Sequence, residues 1–279
     1  IENKGVEWLL SVTPFRSQEF SWTTSFNGAF NEGRVIATND EDGQINLGSP
    51  RTRNIEVSHI VGEAYGTLFG VSYVRDDNGN IVYDIDGDGV PLAQRGERKI
   101  LGEGVPPWTM GWTNTFTYKN LSLTFLIDGK FGGQIFSGTN TVAYGNGLHK
   151  ATLEGRENGL SVSGIDAATG QPFTTTVDPE NLQTYYGRIN DIAEQFVEDS
   201  DFINFRQLSI GYSLPSTILD KTFLTNVNVS LIGSNLFFLM RQVDNIDPES
   251  AYNTGNAQGL EYYGVPSSRN YGLSLTAKF

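Results

Sequence analysis

The chain has 279 residues, with 19 Lys and Arg against 32 Asp and Glu and a formal net charge of −13. That balance speaks against a surface built for nucleic acid or for an anionic membrane patch. Cysteine is absent, which excludes disulfides, thiolate metal sites and cysteine nucleophiles. The longest apolar run, Leu236-Phe237-Phe238-Leu239-Met240, is far too short for a spanning helix, which needs about 18 such residues. The opening Ile1-Glu2-Asn3-Lys4 has neither a basic leader nor an apolar one, so the chain reads as a mature or internal fragment.

Period-two alternation is the main signal, because residues i, i+2 and i+4 share one face of a strand. In chain order, Val6, Trp8, Leu10 and Val12 begin it, and Phe20, Trp22, Phe26 and Phe30 oppose Ser21, Thr23, Ser25 and Asn27. Trp108, Met110, Trp112, Phe116 and Tyr118 oppose a run of threonines, and Leu121, Leu123, Phe125 and Ile127 oppose Ser122, Thr124 and Asp128. Leu208, Ile210, Tyr212 and Leu214 come next, followed by Val227, Val229, Leu231, Phe237 and Leu239, and last by Tyr271, Leu273, Leu275, Ala277 and Phe279. Seven strands are predicted.

Two architectures produce this pattern. A soluble sandwich turns its apolar faces inward, whereas a membrane barrel turns them to lipid and lines its lumen with the polar face. Three features favour the barrel: strands of about nine or more residues, aromatics near strand ends (Trp8, Trp22, Trp108, Tyr118, Phe202, Tyr212, Tyr271), and alternating short and long connections. The short ones are 14–19, 119–120 and 215–222; the long outer loops are about 37–106, 135–200 and 241–266. The expected fold is all-β, an antiparallel transmembrane β-barrel segment with long extracellular loops. The rival is a secreted β-sandwich carbohydrate-binding module.

The loops hold the candidate sites. The first contains the acidic run at Asp40 to Asp42 and an Asn78-Gly79 hairpin signal between Val71–Arg75 and Ile81–Asp84. Asp84, Asp86 and Asp88, with Gly89, match the opening of a calcium loop, but Leu92 and Arg95 stand where later ligands belong. Calcium and an ordinary Asp/Gly-rich turn both remain open. In the second loop, Asp178-Pro179-Glu180 announces a helix running through Phe196-Val197; its Tyr185 and Tyr186 are read either as sugar-stacking residues or as packing for that helix. The third offers Asp244, Asp247, Tyr252 and Tyr262 to hydrogen-bond and stack a substrate or to form a lid. His59 and His149 are isolated loop histidines. No His-Glu-x-x-His, Gly-x-Ser-x-Gly or phosphate-binding glycine motif is present, so no enzyme is expected.

Several segments together resemble the SusC/RagA-type TonB-dependent outer-membrane nutrient importers. They are Asn3-Lys4-Gly5-Val6-Glu7, Asp84 to Gly89, Gly102 to Trp112, Tyr118 to Gly133, Phe202 to Pro215, Gly233 to Leu236, Asp247-Pro248-Glu249 and Pro266 to Phe279. Their order and spacing carry the likeness over nearly the whole chain. The resemblance implies about seven C-terminal strands, residues 1–279, of a large plugged barrel, with the plug and N-terminal extension upstream of Ile1. It implies import of an oligosaccharide or peptide, powered by TonB, beneath a SusD-like lipoprotein. An arc of seven strands has open edges, so a remaining barrel segment is an expected partner along with membrane lipid. Tyr271, Leu273, Leu275 and Phe279 resemble the signal read by the barrel-assembly machinery.

Overall fold

Long alternating runs pair edge to edge because every backbone N–H and C=O then finds a partner while each face keeps one polarity. The computed structural model describes residues 1–39, 41, 43–51, 54–220, 222–252 and 255–279, so Asp40 and Asp42 lie outside the described residues. The chain opens with β1 (Glu2–Arg16) and β2 (Phe20–Arg34). The first long connection then folds β3 (Gln44–Gly48), β4 (Ile55–Ile60), β5 (Thr67–Tyr73), β6 (Val82–Ile85), β7 (Pro91–Ala93) and β8 (Arg95–Glu103). After β9 (Trp108–Tyr118) and β10 (Leu121–Phe131), the second connection holds β11 (Gln134–Ser137), α1 (Gly138–Gly145), β12 (Leu160–Asp166), β13 (Pro172–Val177), α2 (Leu182–Ile189) and β14 (Val197–Asp199). β15 (Phe202–Ser213), the single turn α3 (Ser216–Leu219) and β16 (Asn226–Arg241) follow, then the third connection with β17 (Leu260–Glu261), and finally β18 (Asn270–Lys278).

The seven strands expected from alternation form one antiparallel sheet in the order β1-β2-β9-β10-β15-β16-β18. This wall keeps its apolar face uncovered: Leu231 is 62% exposed, Leu273 70% and Leu275 67%. A sandwich would have buried them. At one end Phe20, Tyr118, Leu121 and Tyr212 lie in one row across the strands, and at the other Val6, Phe30, Trp108 and Phe131 do. Ten residues separate Trp108 from Tyr118; at about 3.3 Å per residue and a tilt of about 40°, that is a band about 25 Å tall. The opposite face is a lattice of small polar groups, with Ser25 donating to Ser11 at 2.8 Å and Thr13 meeting Thr23 at 3.0 Å. Farther across, Asn228 donates to Ser213 at 3.1 Å.

The wall departs from the sequence reading in three places. β1 runs through Pro14 to Arg16 where a turn was predicted, because a register shift between Val12 and Phe15 absorbs a residue with no N–H to donate. Phe202 is no girdle residue: it points to the polar side, fully buried against Phe238, since register shifts in β15 and β16 re-aim this stretch. Asn235, in the left-handed region at φ 53°, sits at the β16 irregularity. Finally, Asn114 shares the apolar face yet is 1% exposed. The indole N–H of Trp22 donates to its Oδ1 at 3.0 Å and that of Trp112 donates to Thr24 at 2.9 Å, which satisfies both indoles where lipid cannot, although the Asn114 Nδ2 has no partner among the described residues.

The long connections fold as a cap at the other end of the wall from the short turns. β3-β4-β5-β8 form one sheet, β13-β12-β6-β7 a second and β14-β11-β17 a third. Strands are shared between connections: β12 of the second pairs in parallel with β6 of the first, and β11 of the second with β17 of the third. One apolar core joins them, including Ile55, Val57, Leu68, Phe136, Ile192, Phe196 and Leu260, all essentially inaccessible. The Asn78-Gly79 turn forms, closed by the Arg75–Ile81 bridge, but its flanks diverge into different sheets. The helix predicted after Asp178 stops at Ile189 and resumes as one 3-10 turn, Ala193–Phe196.

Candidate functional site

The wall's polar face is neutral for most of its height and becomes charged where it meets the cap. Asp128 ends the Ser122, Thr124 series of β10 and receives the Arg206 Nε–H at 3.0 Å and 2.9 Å on its two oxygens. Arg206 faces this way because the register shift between Phe205 and Gln207 turns two successive residues inward. Its other arm grips Glu249 of the third connection, which Lys130 also approaches at 3.4 Å. Four charges thus form one chain, and they tie an outer segment down onto the wall.

Above this chain lies a cavity of about 290 Å³ bounded by Lys130, Gln134, Ser200, Phe202 and Glu249. A neighbouring cavity of about 300 Å³ is bounded by Thr139, Phe238, Arg241, Asp247 and Glu261. Glu261 is almost wholly buried and takes the Thr139 hydroxyl at 2.6 Å, the Thr139 amide at 3.1 Å, the Ser137 hydroxyl at 3.3 Å and the Gly264 amide at 3.0 Å. Two of these groups belong to the first turn of α1, where a carboxylate complements unpaired N–H groups and the helix dipole. This carboxylate therefore clamps the third connection to the second.

The residues predicted in the loops divide into three sets. Asp244, Asp247, Tyr252 and Tyr262 all lie on the third connection. Asp247 receives the Glu249 amide at 2.9 Å, Asp244 offers its carbonyl to Asn140 at 3.3 Å, and Tyr252 meets Tyr262 edge to face at 6.2 Å. Tyr185 and Tyr186 pack against each other inside the cap, and Tyr186 also borders a cavity. Tyr186 is 7% exposed, donates to the Ala151 carbonyl at 3.1 Å and stands edge-on to Tyr144. Burial, with Tyr83 beside it, pushes the Tyr185 phenol well above its usual range. Asp84, Asp86 and Asp88 lie on the β6–β7 turn, where Asp86 accepts the Asp88 and Val90 amides and Asp84 accepts from Gln94. Among the described residues no three His, Cys, Asp or Glu converge as a metal-binding group.

Tyr271, Leu273, Leu275 and Phe279 form an exposed apolar stripe on the outermost strand and just past it. Asp128 and Arg206 join the site although the sequence marks them only as an isolated Asp and Arg among Ser, Thr and Asn on a polar strand face. Within the cap, Glu194 of the 3-10 turn gathers Arg75, Lys99 and the Tyr73 amide, each at 3.0 Å. Burial opposes its charge, but these donors outweigh it and hold the carboxyl below its ordinary value.

No protein-family profile matches the chain. It is 27% identical over its whole length to TonB-dependent receptor P3 of Formosa agariphila, covering 29% of that protein. It is 21% identical, again over its whole length, to TonB-dependent receptor SusC of Bacteroides thetaiotaomicron, covering 26% of it. The RagAB peptide importer in its open-open state superposes with a TM-score of 0.68 at 17% identity, over 99% of this chain and 28% of that one. The closed-closed state gives 0.61 at 16% identity. The chain therefore spans under a third of the length of these relatives. Over its whole length the chain is therefore similar to one segment of SusC/RagA-type outer-membrane receptors, whose barrels are integral to the membrane, and these relatives are named as receptors and importers.

Proposed function

We propose, taking as premise the chain's whole-length likeness to the TonB-dependent receptors of the SusC/RagA type, that it builds the wall and outer mouth of an importer for a bulky nutrient, an oligosaccharide or a peptide. The observation that carries this reading is the division of one seven-stranded sheet into an uncovered apolar face and a hydrogen-bonded Ser/Thr/Asn face, with all long connections gathered at one end. The polar face lines a passage, and the cap and its cavities meet the cargo. TonB supplies the drive through parts of the receptor outside this segment, and a SusD-like lipoprotein closes over the cap. The two free edges, along β1 and β18, pair with the rest of the barrel.

Deleting the gene for the full receptor should abolish uptake of one nutrient class, and the intact gene should restore it. Deleting TonB should give the same defect, and a tagged receptor should retain the lipoprotein in detergent. Unchanged uptake of both oligosaccharides and peptides would overturn the reading.

A further inference from the structure

Several cations at the wall–cap junction and inside the cap are paired with carboxylates: Arg206 and Lys130 with Asp128 and Glu249, Arg75 and Lys99 with Glu194, and Arg98 with Glu56. Arg241 and Arg269 are not. Arg241 closes β16, Arg269 immediately precedes β18, and both line one cavity of about 400 Å³ with Phe238 and Ser267. Among the described residues neither guanidinium makes an ion pair or a hydrogen bond; Arg241 rests over the Phe238 ring, its Cζ 5.9 Å from the centroid. Such stacking occupies the flat face of a guanidinium and leaves its forked N–H edge free.

The acids that share a cavity with Arg241 are already hydrogen-bonded to other groups. Asp247 and Glu261 line the adjoining cavity, but Asp247 receives the Glu249 amide and Glu261 receives Thr139, Ser137 and Gly264. Two like charges sharing a cavity repel each other unless an anion joins them, and an oxyanion that presents two oxygens, as a carboxylate or a sulfate does, matches the guanidinium fork bidentately. In a chain of net charge −13 this is a local positive site inside a negative field. We propose that Arg241 and Arg269 form a binding site for an anionic group of the cargo, a carboxylate or a sulfate. The proposal rests on the import reading and sharpens it, since it names the charge of the substrate class.

The test uses the full receptor in detergent, with inorganic sulfate as the probe and calorimetry at low salt as the readout. The wild type should bind sulfate saturably, and R241Q/R269Q should bind at least about tenfold more weakly, while R16Q at the other end of the wall should match the wild type. No saturable binding by the wild type, as when the rest of the barrel supplies a carboxylate to the pair, overturns the proposal, and so does equal binding by the double variant. In cells, R241Q/R269Q should lower uptake of an anionic nutrient while sparing a neutral one. Loss of neither in that variant, with both lost in the receptor deletion, would sink the anion site and leave the import reading standing.

Discussion

The wall and the cap use the same apolar residues for opposite ends. In the wall, Leu231 and Leu273 stand more than half exposed, whereas in the cap Leu68 and Leu260 are wholly enclosed. The wall has no core of its own; its stability comes from backbone pairing and from a solvent as apolar as its side chains. The cap is stabilised as a water-soluble domain is, by withdrawing side chains from water. Apolarity alone therefore does not say which way a residue faces, and the two regions should fail under different insults.

The largest separation should come from Phe136→Ala in the cap core. Truncating so large a buried ring costs about 3–5 kcal/mol, and proteolysis of the outer segments should rise sharply while the barrel of the full receptor keeps its heat-modifiable migration. Joint loss of both would break the contrast. Next, Leu208→Arg should cost about 2–4 kcal/mol near the middle of the apolar band, whereas Gln207→Arg, one residue away on the polar face, should be nearly neutral in denaturant titrations of the inserted receptor. Equal costs would mean that the faces are misassigned.

A smaller effect is expected of Glu249→Gln. It removes the partners of Arg206 and Lys130 but leaves the Arg206–Asp128 pair. Because these groups are partly exposed, the loss should be about 1 kcal/mol, seen as faster protease cleavage within residues 242–269 at unchanged barrel stability. The smallest is a pH effect on the cap. Glu194 is held below its ordinary value of about 4.5, so it stabilises the fold above that pH and the contribution is lost as acid protonates it. Cap stability should fall below about pH 4.5 in the wild type and more gently in Glu194→Gln, measured by hydrogen exchange of residues 67–73.

The wall was legible because its two faces meet different media, so Trp108 to Tyr118 reads as two interleaved lists. The cap was not, and the cause is physical. β5, Thr67-Leu68-Phe69-Gly70-Val71-Ser72-Tyr73, is buried on nearly every residue, so no alternation survives to mark it. α1, Gly138 to Gly145, has little apolar periodicity and owes its start to Ser137 and to a carboxylate far along the chain. The third connection was recognised as a site segment from its Asp and Tyr content, but which carboxylate mattered depended on Arg206. That arginine's inward direction comes from a register shift that no local spacing announces.

The sharing of strands among the outer connections also sets an order of assembly. Ser137 and Glu261, 124 positions apart, meet only after β15 and β16 have been laid down between them, so contacts of this range form last. The outer surface thus keeps a record of biogenesis. An antibody specific for the Ser137–Glu261 junction would stain finished receptors and pass over those stalled partway into the membrane.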